Sequence, residues 1–207
     1  MTRVRQGGGR PRESRIDAAV LAAARELLAE VGYAGVTMDA TAARAGTSKA
    51  AIYRRFRSKA ELMFAAAVHR GEVTPPPDTG SLRGDLLALA RTIRDAMSSP
   101  AAREVAPQVL TEIRRSPAVS DRLREVFVTS ERSEIETVLD RAVGRGELMR
   151  RPDIATVHRI LGGALFFGVF VVDEDVGERE LHQLVAVLSA GVVAEVSPHL
   201  RAHSPDI

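Results

Sequence analysis

Ala42-Ala43-Arg44-Ala45-Gly46-Thr47-Ser48-Lys49-Ala50-Ala51-Ile52-Tyr53-Arg54-Arg55-Phe56 is the stretch from which the rest of the chain is best read. Small residues run up to a glycine, two hydroxyl residues follow, and then comes a segment both cationic and aromatic. That order predicts a short helix, a sharp turn and a second short helix. Thr37 is placed to cap the first helix, Met38 to Ala45, which Gly46 ends; Ser48 is placed to cap the second, through about Phe56. Met38, Ala42, Ala45, Ile52 and Phe56 supply apolar contacts to lock the pair together. In a helix-turn-helix the first helix braces the second, whose N-terminal part enters the DNA major groove. On a helix that starts at Ser48, the positions facing away from Ile52 and Phe56 are Lys49, Ala50, Tyr53 and Arg54. Thr37, Thr47, Ser48 and the backbone amides beside Lys59 suit phosphate oxygens.

On either side the signals stay helical. Ser58-Lys59-Ala60-Glu61 reads as a capping box opening a helix that carries Leu62, Met63, Ala66 and Ala67 and fades near Gly71. Upstream, Ile16, Ala19, Val20, Ala23, Ala24, Leu27, Leu28 and Val31 recur at spacings of three and four, with Gly32 as the stop. Residues 1–13 mix Arg3, Arg5, Arg10 and Arg12 with glycine and proline, the composition of a flexible basic arm, which either enters a minor groove or stays unstructured. Pro75-Pro76-Pro77 cannot continue a helix, so a linker is expected over 74–80. Beyond it, helices are predicted over 82–97, within 101–115, between 117 and 144, and over 153–172 and 178–196. No alternating strand pattern competes. The expectation is an all-α chain: arm 1–13, helix-turn-helix DNA-binding domain 14–73, linker 74–80, and a C-terminal helical bundle over 81–207 for regulation and dimerisation.

Composition narrows the function classes. The 207 residues include no Cys, which excludes disulfides and thiol chemistry. The net charge of +2 hides an asymmetry: residues 1–73 hold 13 basic and 7 acidic side chains, and the remainder 16 and 20. A basic end on a mildly acidic body points to a polyanionic partner for that end. Each cation taken singly also fits a solvated charged face, and Tyr53 fits ordinary surface packing; their joint spacing favours DNA. No phosphate-binding glycine loop or His-Glu-x-x-His pairing occurs, so no catalytic residue, cofactor or metal is expected. Glu178 and His182 share a helix face next to Asp173, Glu174 and Asp175, which fits half a metal site but reads better as a solvated acidic turn.

The apolar run Ile160 to Val172 is shorter than the ~20 residues of a membrane span. With no signal peptide in view, a cytoplasmic chain free of the membrane is expected. This helix and 181–193 are apolar on more than one face and call for burial by something, most simply a second copy, the alternative being that both helices are internal to the monomer. Gly163, Phe166, Phe167, Phe170, Leu184 and Leu188 are the candidate interface residues. A small-molecule pocket is sought among Leu89, Ile93, Met97, Val109, Ile113, Phe127 and His158, with no charged partner evident for His158. Composition alone points to an apolar effector.

Gly32-Tyr33-Ala34-Gly35-Val36-Thr37-Met38, the 42–56 stretch and Ser58-Lys59-Ala60-Glu61-Leu62, led in by Gly9-Arg10-Pro11-Arg12-Glu13, resemble the DNA-binding region of TetR-family transcriptional regulators over residues 9 to about 70. The resemblance implies an all-helical homodimer that binds a palindromic operator, acts as a repressor and is released by a small molecule. It also implies that Tyr53 and Lys59 contact phosphate and that Thr37 caps its helix. Two positions depart: Arg55 stands where the family often has His and is expected to preserve a phosphate contact, and Ala50 stands where many members have a larger base-reading side chain. Base readout is therefore expected to lean on Thr47, Lys49 and Arg54. The competing classes are a helical adaptor with an incidental basic end and an enzyme on an all-α scaffold.

Overall fold

The computed structural model describes residues 10–68 and 76–196, with the side chains of 10–14, Val68, Val126 and Phe127 outside that set. Arg3, Arg5, His69, residues 74–75, His199 and His203 likewise lie outside the described residues, as does the pocket assignment of the Phe127 side chain. Among the described residues there is no strand. The helices are α1 (Arg10–Gly35), α2 (Met38–Arg44), α3 (Lys49–Tyr53), α4 (Lys59–Val68), α5 (Leu82–Met97), α6 (Pro100–Arg115), α7 (Pro117–Leu123), α8 (Thr129–Gly144), α9 (Ile154–Phe166) and α10 (Glu178–Val196). A π-helical turn over Arg124–Val128 lies between α7 and α8, and another over Phe167–Val171 extends α9. The chain is all-α, as its periodicity predicts.

Two compact units form. The first contains α1 to α4 together with residues 99–122, hence α6 and most of α7; the second contains α5, α8, α9 and α10. The sequence boundaries at 73 and 81 do not anticipate that α6 packs against α4 and α1. Helix α1 also begins at Arg10, inside the segment read as an arm. At Gly32 it kinks, with φ of 66°, where the periodicity called for a stop. Val20, Ala23, Ala24, Leu27 and Leu28 are buried as expected, whereas Val31, just before the kink, is 51% exposed. Helix α1 packs against α4, where Leu62, Met63 and Ala66 are buried, and against α6, where Ala102, Val105 and Val109 are buried, in the first unit.

In the second unit Leu86 and Leu89 of α5 join Ile135, Leu139, Leu161, Leu165, Leu181 and Val185 in one core. A carboxylate is buried at its edge. Asp85 on α5 is fully buried and accepts hydrogen bonds at 2.7 Å from both the amide and the hydroxyl of Thr79. Arg145 pairs with it at 2.9 Å and also with Asp78 at 3.0 Å. Arg141 donates to the Pro76 carbonyl at 2.7 Å, so the linker's described end is fastened to α8. Burial raises the Asp85 carboxyl, but the Thr79 amide and hydroxyl and the Arg145 guanidinium together hold it below the usual aspartate value. A carboxylate depressed on folding stabilises the fold above its unfolded pKa and loses that contribution as pH falls. In urea denaturation Asp85→Ala is expected to cost about 3 kcal/mol at neutral pH. The advantage of the wild type over Asp85→Asn should be complete above about pH 4 and shrink below it.

Candidate nucleic-acid interface

The caps expected from sequence form. Thr37 Oγ1 accepts from the Ala40 amide at 3.1 Å, and Ser48 Oγ from the Ala51 amide at 3.1 Å. Between them Gly46 adopts φ of 61°, and the Thr47 amide returns to the Ala42 carbonyl at 3.0 Å, closing the turn. A side chain at 46 would meet nothing within 4 Å, so it is the left-handed backbone that demands glycine. Met38, Ala42, Ala51 and Ile52 are buried and hold α3 on α2, while Ala45 and Phe56 are only half-buried. The predicted run of the second helix to Phe56 is corrected: α3 ends at Tyr53, and Arg55 and Phe56 close a turn by donating to the Ile52 carbonyl. Ser58 Oγ accepts from the Glu61 amide at 3.1 Å, but Glu61 reaches past Ser58 to the Arg57 amide at 2.8 Å, one residue further back than a standard capping box.

The predicted residues collect on α2, α3 and the start of α4. Thr37, Ser48, Lys49, Ala50, Tyr53 and Arg54 are exposed, with Tyr53 at 45%; Thr47 and Lys59 are half-buried. Sequence reading missed the acidic partners of the cations. Lys49 donates to Asp39 on α2 at 2.8 Å, and this bond raises its pKa. Arg44 makes a two-pronged pair with Glu30 at 2.6 and 2.7 Å. Arg55 pairs with Asp17 on α1 and donates to the Ala51 carbonyl at 3.2 Å. Lys59 donates to the Ala34 carbonyl at 3.3 Å, with its ammonium 4.5 Å above the Tyr33 ring. Burial lowers the pKa of Lys59 against an opposing pull from Glu112. Burial, with Glu112, raises that of Tyr33. Tyr33 belongs to the glycine-flanked motif and was findable there; Glu112, far off on α6, was not.

The other candidates divide between the units. Leu89 is buried in the core of the second unit with Ile93 and Met97 against it, whereas Val109 and Ile113 lie on α6 in the first. His158 does have a charged partner: its Nε2 lies 2.7 Å from Oε2 of Glu131, 27 residues earlier on α8 and invisible to periodicity. Glu178 is held by Arg91 at 2.5 Å and Arg94 at 3.4 Å instead of pairing with His182. Among the interface candidates Gly163 and Phe167 are exposed, the latter at 59%, while Phe166 and Phe170 are half-buried with ring centroids 5.1 Å apart and planes tilted by 51°. Leu188 is corrected: it is 3% exposed because it fills the chain's own core, and Leu184 packs against that core. The outward position on α10 is Val187, at 74%.

A family model described as bacterial regulatory proteins, tetR family, matches residues 20–66, and the tetracyclin repressor-like C-terminal domain matches 76–188, more than half of the chain. The chain belongs to the TetR family. TetR-family members are helix-turn-helix, DNA-binding transcriptional regulators, not enzymes, and so is this chain. An uncharacterised regulator of this type from Mycobacterium tuberculosis is 40% identical over 158 residues, 76% of this chain and 75% of that protein. A DNA-binding transcriptional repressor, TetR, of Mycobacteroides abscessus is 36% identical over 69% of this chain and 76% of its own length. The crystal structure of the TetR family transcription regulator SCO0332 superposes with a TM-score of 0.72 at 28% identity, covering 86% of this chain and 98% of that one. Thr37→Ala and Ser48→Ala should each lower stability by about 1 kcal/mol in urea denaturation, since each frees a helix-terminal amide.

Proposed function

We propose that the chain is a homodimeric, ligand-responsive repressor that binds a palindromic operator and is released by a small molecule. The observation that carries the DNA reading is the exposed face of α3, where Lys49, Ala50 and Tyr53 project from a helix capped by Ser48 and anchored by the fully buried Ile52. Thr37, Tyr53 and Lys59 take phosphate roles; Thr47, Lys49 and Arg54 approach base edges. Arg55, whose side chain is 18% exposed and bound to Asp17, braces α3 on α1 and gives at most a secondary phosphate contact. The Mycobacteroides abscessus repressor supports repression as the output.

A second copy is the natural cover for the apolar surface of the second unit. Ile154–Val171 is long and apolar enough to cross a bilayer, yet only 22% of it is buried within the chain. Ile160, Phe167, Val171, Val172 and Val187 are large, apolar and between 45% and 74% exposed. Exposed side chains of this kind mark an association surface, and a twofold dimer is the general arrangement that presents two recognition helices to successive major grooves, about 34 Å apart. We assign the surface to self-association in the cytoplasm and not to a membrane. Leu89, Ile93, Met97 and His158 remain the effector-facing candidates, with the His158–Glu131 pair as a polar anchor.

Duplexes selected from a random-sequence pool by the full-length chain should be inverted repeats with half-sites about one helical turn apart. Lys59→Ala should lower affinity on all duplexes and reduce the salt slope by about 1, while Lys49→Ala should cost about 1–3 kcal/mol on the selected site alone. Enrichment of no duplex even at low salt would remove the DNA reading. In sedimentation velocity Phe167→Glu and Val187→Glu should convert dimer to monomer with helix content unchanged; two variants that stay dimeric would place the partner elsewhere.

A further inference from the structure

The two faces of the Lys59 site are both held by helices that follow it by 40 or more residues. On one side, the Tyr33 amide just past the Gly32 kink donates to Glu104 Oε1 of α6 at 2.5 Å. The Tyr33 ring and the neighbouring Ala34 carbonyl are the surface on which the Lys59 ammonium rests. Gly32 permits the approach: a Cβ there would come within 3.0 Å of the same Glu104 oxygen. On the other side, Glu61 follows Lys59 by two residues, is 3% exposed, and is held by Arg122 of α7 at 3.0 Å. Lys59 thus has no independent position; the Tyr33 backbone that carries its aromatic seat is pinned by a carboxylate from α6.

We infer that Glu104 is a positioning residue for DNA binding: by holding the Tyr33 amide it fixes the ring and carbonyl that aim Lys59 at phosphate. The inference rests on the phosphate role proposed for Lys59. It also makes a prediction opposite in sign to plain electrostatics. A carboxylate near a polyanion repels it, so removing Glu104 should tighten binding if charge were its contribution. If position is its contribution, removal should weaken binding.

The test uses the full-length chain and a duplex it has selected from a random pool, read by fluorescence anisotropy across a salt series. Glu104→Met, which keeps the stem but has no acceptor oxygen, should lose about tenfold in affinity, the size of one charged contact. Glu104→Gln, which retains an acceptor and loses the charge, should bind as tightly as the wild type or more tightly. Glu104→Met combined with Lys59→Ala should be no weaker than Lys59→Ala alone. A DNA-free readout accompanies these: Lys49 and Lys59 are the chain's two lysines, so their ε-methylene NMR signals are separable. The Lys59 signal should carry a ring-current shift from Tyr33 in the wild type and Glu104→Gln and lose it in Glu104→Met. A selected duplex bound equally or more tightly by Glu104→Met, losses that multiply in the double variant, or a ring-current shift unmoved by Glu104→Met would overturn the inference. A shift that depends on Glu104 in a chain that selects no duplex would instead overturn the DNA reading on which it rests.

Discussion

Three helices of seven, five and ten residues carry the DNA-facing surface, and helices so short do not persist alone in water. Their existence depends on bracing from outside their own backbone. Thr37, Ser48 and Ser58 satisfy amides that the helices cannot; Ile52 is buried to 0% exposure on α3, which packs on α2, and Leu62 and Met63 to 0% on α4, which packs against the longer α1 and α6. Local capping starts each helix and long-range burial keeps it. This is why α6, distant in sequence, belongs to the same compact unit as the helix-turn-helix.

The bracing has an electrostatic side. The cations that a polyanion would meet are not loose: Lys49, Arg44 and Arg55 each hold an acidic partner from α1 or α2. The more exposed of these pairs, Lys49–Asp39 and Arg44–Glu30, add little to stability. What they do is restrict where each cation can point, so that less freedom remains to be lost when DNA arrives. Lys59 achieves the same end through a carbonyl and a ring.

Much of this was legible from residue order because it is local. Cap, turn glycine and apolar lock act within four residues of one another, so Thr37, Gly46, Ser48 and Ser58 announce their roles, and the boundaries of α5 and α10 follow from their periodicity. What stayed hidden is tertiary. Nothing in the order of residues says that Glu104 meets Tyr33, that Glu131 meets His158, or that Leu188 and not Val187 faces the chain's own core. The α10 error has a definite cause: a helix apolar on several faces offers two burial stripes, and periodicity alone cannot choose which one the chain covers itself. The end of α3 at Tyr53 was missed for a related reason, since Phe56 keeps apolar spacing in a tight turn as well as in a helix.

The π-helical turn over Phe167–Val171 bears on how this lineage can drift. Each residue of an α-helix advances the backbone by about 100° around its axis, and a π-turn accommodates one residue beyond the α count. Phe167 and Val171 face outward while Val169 between them is buried, so the angular phase of the outer stripe is set by how many residues the segment contains. Exchange of one apolar side chain for another leaves that phase alone, whereas a single-codon deletion there would swing every later position of the segment around the axis. Chain length at this point is thus under tighter constraint than residue identity.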